Sequence, residues 1–144
     1  PVAARTIELR DGGRVQLVPG LSDAENARPG HPVFELVVDT IDEARAVSNR
    51  RGSDFLVLLM PAKEDVYLPV ADEPAPPGTS FKTALQERGI ESLDLTPHFR
   101  AQARDFSPLF YEVDGHPNEE GYRLIARAVT EHLRKHGRTY GLWD

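Results

Sequence analysis

The chain has 144 residues and a formal net charge of −6, and with 28% charged and 40% apolar residues it has the composition of one globular domain. The absence of cysteine excludes disulfides, thiol catalysis and cysteine-based zinc sites, and the scattered lysines and arginines argue against nucleic acid as a partner. The longest uncharged apolar run, residues 55–60, is too short to cross a bilayer, so we do not expect the chain itself to be transmembrane.

Two elements are predicted in the N-terminal part of the chain. Apolar and polar residues alternate over residues 6–18 around an Asp-Gly-Gly turn, which predicts a β-hairpin. Residues 19–32 hold three prolines and two glycines, so we expect a loop. Apolar residues then recur every three or four positions, which predicts an amphipathic helix over about 33–50 that is ended by Gly52.

The middle of the chain alternates short strands and helices. The apolar run 54–60 predicts a strand that is buried on both faces of a parallel sheet. Residues 61–80 are rich in proline and charge, so we expect a polar connection that contributes nothing to the core. The sequence "SFKTALQERG" predicts a short helix stopped by Gly89, and "IESLDLTP" predicts a second strand. A helical or irregular stretch over 97–105 follows.

The C-terminal part predicts one more helix, over about 119–136, ending at Gly137. Its apolar face is expected to comprise Tyr122, Ile125, Val129 and Leu133. The alternation of helices and strands predicts an α/β fold with parallel strands flanked by helices, in a single domain over residues 1–144. Two parallel strands make a thin sheet, so we expect a missing N-terminal segment or a second protomer to cover its edges.

A candidate catalytic pair lies on the loop before the last helix, at Asp114 and His116. In an Asp-x-His element the carboxylate accepts a hydrogen bond from His Nδ1 while Nε2 faces outward as a base. Asn118 is placed to cap the helix, with Glu119 and Glu120 in its first turn. A polar loop that only caps the helix is the alternative interpretation, and the pattern itself leaves both open.

The segment "DGHPNEEGYRLIARAVTEHL" resembles the C-terminal catalytic block of the SGNH (GDSL-type) hydrolase superfamily. Upstream, "FLVLLMPAKEDVYLP" and "GIESLDLTPHF" resemble segments of SGNH proteins related to carbohydrate O-acetylation, and the similarity covers about residues 33–136. The resemblance implies a flavodoxin-like SGNH fold, His116 as general base and Asp114 as its orienting acid. It also implies an esterase or O-acyltransferase acting on acyl (acetyl) esters, above all of carbohydrates, in an extracytoplasmic setting.

The nucleophile of this family is a serine in a Gly-Asp-Ser context near the N-terminus, and no such block is present. No Gly-x-Asn-Asp element for an oxyanion hole is present either. We therefore expect the chain to be the C-terminal part of a larger SGNH-like domain whose serine lies upstream of Pro1. The competing hypothesis is a catalytically inactive carbohydrate-binding or scaffold domain. The serines of the chain, of which Ser22 alone lies in a plausible exposed loop, are Ser22, Ser48, Ser53, Ser80, Ser92 and Ser107.

Other polar residues have plainer explanations. His132 and His136 lie four residues apart on the last helix and could share a metal, but they lack an evident third ligand, so we expect a surface role. Lys63 and its two acidic neighbours follow a strand at its carboxyl end, where ligands bind in open α/β sheets, although a solvated loop is the interpretation we favour. Asp94 is a possible alternative acid. We expect no metal and no cofactor.

Overall fold

Residues 5–17, 28–72 and 81–137 are described by a computed structural model, and within them nine helices and strands follow one another. By the density of its contacts the chain divides into two units. The hairpin unit holds residues 5–17, 60–72 and 95–137, and the sheet unit holds residues 28–59 and 81–94. The elements are β1 (Arg5–Glu8), β2 (Arg14–Leu17), α1 (Pro32–Arg50), β3 (Val57–Leu59), α2 (Lys63–Val70), α3 (Phe81–Glu87), β4 (Ser92–Asp94), α4 (Thr96–Ala103) and α5 (Glu119–His136).

The predicted N-terminal hairpin is confirmed. Strands β1 and β2 pair in antiparallel register, with Ile7 opposite Val15. The turn between them needs a residue with positive φ, which Gly12 supplies at +80°. The alternating apolar side chains point to one side and are buried, because this face is covered by the rest of the hairpin unit.

The core of the hairpin unit is formed by α2, α4 and the segment that precedes α5. Helix α2 packs against α4, and α4 packs against α5. The ring of Phe110 lies between those of Tyr67 and Phe99, at centroid distances of 6.0 and 5.3 Å. These aromatic rings are all buried, and their area of contact is a main source of stability in this unit.

The prediction of a polar connection over 61–80 is wrong for residues 63–70, which form α2. The Asp65 carboxylate accepts a hydrogen bond from the Ala62 backbone N–H at 3.0 Å, and this cap starts the helix. Pro69 lies in the last turn, where it does not break the helix. Val66 and Tyr67 are fully buried, so this segment contributes to the core despite its polar composition.

The sheet unit contains the parallel strand pair. Strands β3 and β4 are hydrogen-bonded in parallel, with Leu58 opposite Leu93. Helix α1 packs against α3, and α3 packs against β4. The predicted class, α/β with parallel strands, flanking helices and an N-terminal hairpin, is therefore confirmed. The expectation that the first strand is buried on both faces is wrong, because Leu58 is 38% exposed and the described sheet has two short strands.

Helix α5 has the predicted limits but presents a different face to the core. Its buried residues are Gly121, Leu124 and Ala128, whereas Tyr122, which was expected in the apolar face, is 54% exposed. The apolar periodicity did not predict this orientation of the helix, because glycine is not counted as an apolar residue. The helix nevertheless packs closely against its neighbour at Gly121. Among the helices of the described ranges, none is both long enough and apolar enough to cross a membrane.

Replacing Phe34 by alanine should lower the free energy of unfolding by about 3–5 kcal/mol, because its ring is buried in the sheet unit and leaves a cavity. The ring stacks on that of Phe81 at a centroid distance of 4.6 Å. Urea unfolding measures the change. Leu36→Ala is the matched control on the same helix, since Leu36 is 65% exposed and should cost less than about 0.5 kcal/mol. Equal effects of the two substitutions would contradict this packing.

Candidate active site

The pair predicted from the sequence lies at the tip of a loop whose two ends are held together. Phe110 and Pro117 form an isolated antiparallel bridge at its base. The Asn118 backbone N–H donates to the Leu109 carbonyl at 3.0 Å, and the Tyr111 N–H donates to the His116 carbonyl at 3.2 Å. The segment between, which we call the 111–117 loop, is thus closed by backbone hydrogen bonds rather than left as an open connection.

The structure brings Asp114 and His116 together at the tip of this loop. Asp114 Oδ1 accepts a hydrogen bond from the His116 backbone N–H at 2.7 Å and also contacts His116 Nδ1. Because Nδ1 faces the carboxylate, Nε2 is the ring nitrogen available for proton transfer. The side chains are 74% and 59% exposed for His116 and Asp114, so a substrate can reach the imidazole from solvent.

The Asp114 carboxyl group is biased toward its ionised form. The hydrogen bond from the His116 backbone N–H holds the pKa of Asp114 below its ordinary value, and the hydrogen bond and charge of the His116 side chain act in the same direction. The positive charge of Lys63 adds a further lowering. An ionised carboxylate at this position fixes the imidazole tautomer and stabilises the imidazolium that forms when His116 takes up a proton.

Helix α5 holds the loop from its C-terminal side through Asn118. Asn118 Oδ1 accepts from the Gly121 N–H at 3.1 Å, which is the predicted N-cap. Its amide nitrogen donates to the carbonyl of Pro108 at 3.0 Å and lies 3.5 Å from that of Phe110. One side chain therefore ties the start of α5 to the chain segment that enters the loop.

Helix α2 holds the loop from its N-terminal side through Tyr67. The Tyr67 hydroxyl donates to the Ser107 carbonyl at 2.8 Å and accepts from the Leu109 N–H at 3.0 Å. The side chain is fully buried, and burial raises the pKa of Tyr67 to about 12. The phenol therefore stays neutral and keeps both hydrogen bonds at physiological pH.

Lys63 is the residue near the loop that sequence reasoning placed wrongly. Instead of lying in a solvated loop, it begins α2 and is 4% exposed. Its ammonium donates to the carbonyls of Glu112 at 2.9 Å and Gln16 at 3.4 Å. The sequence did contain one sign that Lys63 is buried. Lys63 and Tyr67 lie four residues apart, so the two side chains share one face of α2.

Among the described residues of the hairpin unit, no serine is exposed enough to be an evident nucleophile for this pair. Ser107, the one serine among the described residues of the hairpin unit, is only 8% exposed. Ser48, Ser53 and Ser92 belong to the sheet unit, whereas Ser80 and the predicted exposed-loop candidate Ser22 lie outside the described residues. Within the described residues of the hairpin unit, the structure thus brings Asp114 and His116 together but shows no exposed serine.

The remaining polar candidates have partners of their own. The rings of His132 and His136 lie 4.4 Å apart, and His136 Nδ1 lies 3.0 Å from the His132 carbonyl oxygen on α5. Asp94 ends β4 and pairs with Lys82 at 3.3 Å in the sheet unit. Neither arrangement adds a group to the 111–117 loop.

Comparison with known families identifies one match. The family model "SGNH hydrolase-like domain, acetyltransferase AlgX" matches residues 23–142, which include the 111–117 loop and all five helices of the described ranges. No match was found among curated proteins or among solved structures. The match thus extends over most of the sequence, and it contains both side chains of the pair.

Replacing Gly121 by alanine should destabilise the protein by about 1–3 kcal/mol, although alanine favours helices. An added Cβ would collide with the Leu109 carbonyl oxygen and lie 2.7 Å from Pro117 Cβ, so the helix must move away from the base of the loop. Faster amide exchange at Asn118 would report that movement. Gly115→Ala is the control in the same loop, since its added Cβ meets nothing within 4 Å. Equal stability of both variants would contradict this close approach.

Replacing Asp114 by asparagine should change how the stability of the folded state depends on pH. Because the folded pKa of Asp114 lies below its ordinary value of 3.8, ionisation stabilises the folded state above that pH, and the stabilisation is lost as pH falls through the folded pKa. Thermal unfolding of the wild type and Asp114→Asn should therefore differ at about pH 6 and converge toward about pH 2. Asp105→Asn controls for loss of a surface carboxylate, which there pairs with Arg10. A difference independent of pH would contradict the prediction.

Proposed function

Because the chain belongs to the family of SGNH hydrolase-like domains of acetyltransferase AlgX, we propose that it acts in acyl-ester transfer or hydrolysis through Asp114 and His116. The observation that carries the proposal is the contact of Asp114 Oδ1 with His116 Nδ1 on a loop closed at its base. The acetyl group is suggested by the name of the family, and a carbohydrate carrier by the resemblance to carbohydrate O-acetylation proteins.

In the proposed mechanism His116 transfers protons in both halves of the reaction. Nε2 takes the proton of a serine hydroxyl as the serine oxygen attacks the acyl carbonyl carbon, and it returns that proton to the leaving alkoxide. An acyl-enzyme results. A water molecule or an acceptor hydroxyl, deprotonated by the same nitrogen, then attacks the acyl carbon; the bond to the serine oxygen breaks, that oxygen takes the proton back from Nε2, and the acid or the new ester is released. Asp114 stays ionised throughout and stabilises the imidazolium.

The proposal assigns the serine to a segment outside residues 1–144. Ser107 is unsuitable because it is buried, and its carbonyl group is held by the Tyr67 hydroxyl. A nucleophile needs an exposed hydroxyl within hydrogen-bond reach of the base. The chain would then provide the acid–base part of a larger SGNH-like domain, with the 111–117 loop presenting His116 to the missing serine.

His116→Ala should lower turnover of an acetyl ester by about 10²–10⁴-fold in the complete natural protein, because acid–base catalysis contributes about that factor. Asp114→Asn should reduce it by at least about a hundredfold through the loss of tautomer control. Initial rates with p-nitrophenyl acetate and with an acetylated sugar measure both effects. His98→Ala, a change of the same kind on α4, is the control. Unchanged turnover in His116→Ala would remove this residue from the mechanism.

A catalytically inactive carbohydrate-binding domain is the second candidate function. It is favoured by one observation, namely that the exposed pair lies in a unit whose single described serine is buried. Labelling of the complete natural protein by a serine-reactive fluorophosphonate would support the enzyme. Glycan binding that survives His116→Ala, together with no labelling, would instead support the binding domain.

A further inference from the structure

A lysine ammonium lies inside the hairpin unit, next to the chain that enters the 111–117 loop. Lys63 is 4% exposed, whereas lysine is among the residues least often buried. Removing a positive charge from water costs several kcal/mol unless nearby groups compensate it. Packing alone therefore does not explain why a lysine lies at this buried position.

The partners of Lys63 lie where the loop begins. Its Nζ donates to the Glu112 carbonyl at 2.9 Å and to the Gln16 carbonyl on β2 at 3.4 Å. The Gln16 N–H donates to the same Glu112 carbonyl at 2.7 Å. Two donors, one from α2 and one from β2, thus converge on a single carbonyl oxygen two residues before Asp114.

The charge of Lys63 also acts on the pair itself. It helps to lower the pKa of Asp114, after the larger effects of His116. Burial lowers the pKa of Lys63, and the negative charges of Glu64, Asp114 and Glu112 oppose that effect. The ammonium therefore interacts with the carboxylate that orients His116, in addition to holding the backbone of the loop.

We infer that Lys63 is a positioning residue for Asp114 and His116, which fixes the Glu112 carbonyl at the start of the loop and holds a buried positive charge there. The expected effect of Lys63 on catalysis rests on the proposed function. Its effect on the position of the loop rests only on the hydrogen bonds described above. Lys63 acts through Asp114 and is not itself in contact with the reacting atoms.

Stability alone does not account for the lysine. A methionine has a similar length, fills the same space and carries no charge that must leave water. The Glu112 carbonyl would still accept from the Gln16 N–H after the substitution, so it would not become an unsatisfied group. We therefore expect Lys63→Met to fold with little loss of stability, and its effects to appear at Asp114.

The test compares the wild type with Lys63→Met by NMR of the whole chain. The carboxyl carbon of Asp114 should titrate at higher pH in the variant, and the Gln16 amide should exchange faster because a donor that fixed its acceptor is gone. Turnover of the acetyl ester in the complete protein should fall roughly tenfold or more in kcat, since small misplacements are costly at active sites. Lys82→Met, which removes an exposed lysine paired with Asp94, should leave all three unchanged.

Chemical rescue separates the charge of Lys63 from its bulk. Because the chain has no cysteine, Lys63→Cys can be unfolded, alkylated at that position alone and refolded. Bromoethylamine restores an ammonium on a side chain of nearly lysine length, and bromopropane gives a neutral chain of similar length. The ammonium form should recover the wild-type titration of Asp114 and the wild-type exchange of the Gln16 amide, and the neutral form should not.

Three outcomes would overturn the inference. In the first, the Asp114 titration and Gln16 exchange of Lys63→Met match the wild type. In the second, the charged and neutral alkylated forms behave alike. In the third, Lys63→Met and the neutral form both fail to fold, which would make the lysine a structural residue. The titration of Asp114 can be measured without turnover. If His116 proved not to act in catalysis, the proposed function would fail, but the titration would still decide the role of Lys63.

Discussion

The contact of α2 with the chain segment at residues 107–112 is the interaction on which the rest of the hairpin unit depends. It is made by two polar side chains one helical turn apart, the Tyr67 hydroxyl and the Lys63 ammonium, and both bind backbone groups of that segment. Buried polar groups stabilise a structure only when they are paired, and each of these is. The two side chains therefore determine where the segment runs, and with it the start of the 111–117 loop.

Helix α5 fixes the same loop from its other end. The Asn118 side chain binds both the first turn of α5 and the incoming segment, and the lack of a side chain at Gly121 allows the helix to approach the Leu109 carbonyl. A loop that is anchored at both ends loses little further conformational entropy when a substrate binds. The exposed pair at its tip thus combines access to solvent with a defined orientation, which general acid–base chemistry requires.

Membership in the SGNH hydrolase-like family gives this geometry a chemical context. The family name concerns acetyl transfer, and the arrangement of Asp114 and His116 is suited to the proton transfers of such a reaction. The charge of Lys63 also favours the ionised form of the Asp114 carboxylate. Asp114, His116 and Lys63 belong to one unit of the chain.

Local sequence patterns determined the hairpin, the limits of α1 and α5, the α/β class and the Asp-x-His pair, because turn glycines, apolar periodicity and a two-residue spacing act over short distances. The tertiary structure alone decided that the polar segment at 63–70 is a buried helix, that β3 is half exposed, and that α5 turns Gly121 rather than Tyr122 inward. Burial depends on which distant segments come together. Lys63 shows this most clearly, since a lysine is expected in water unless carbonyls far along the chain, here those of Gln16 and Glu112, compensate its charge.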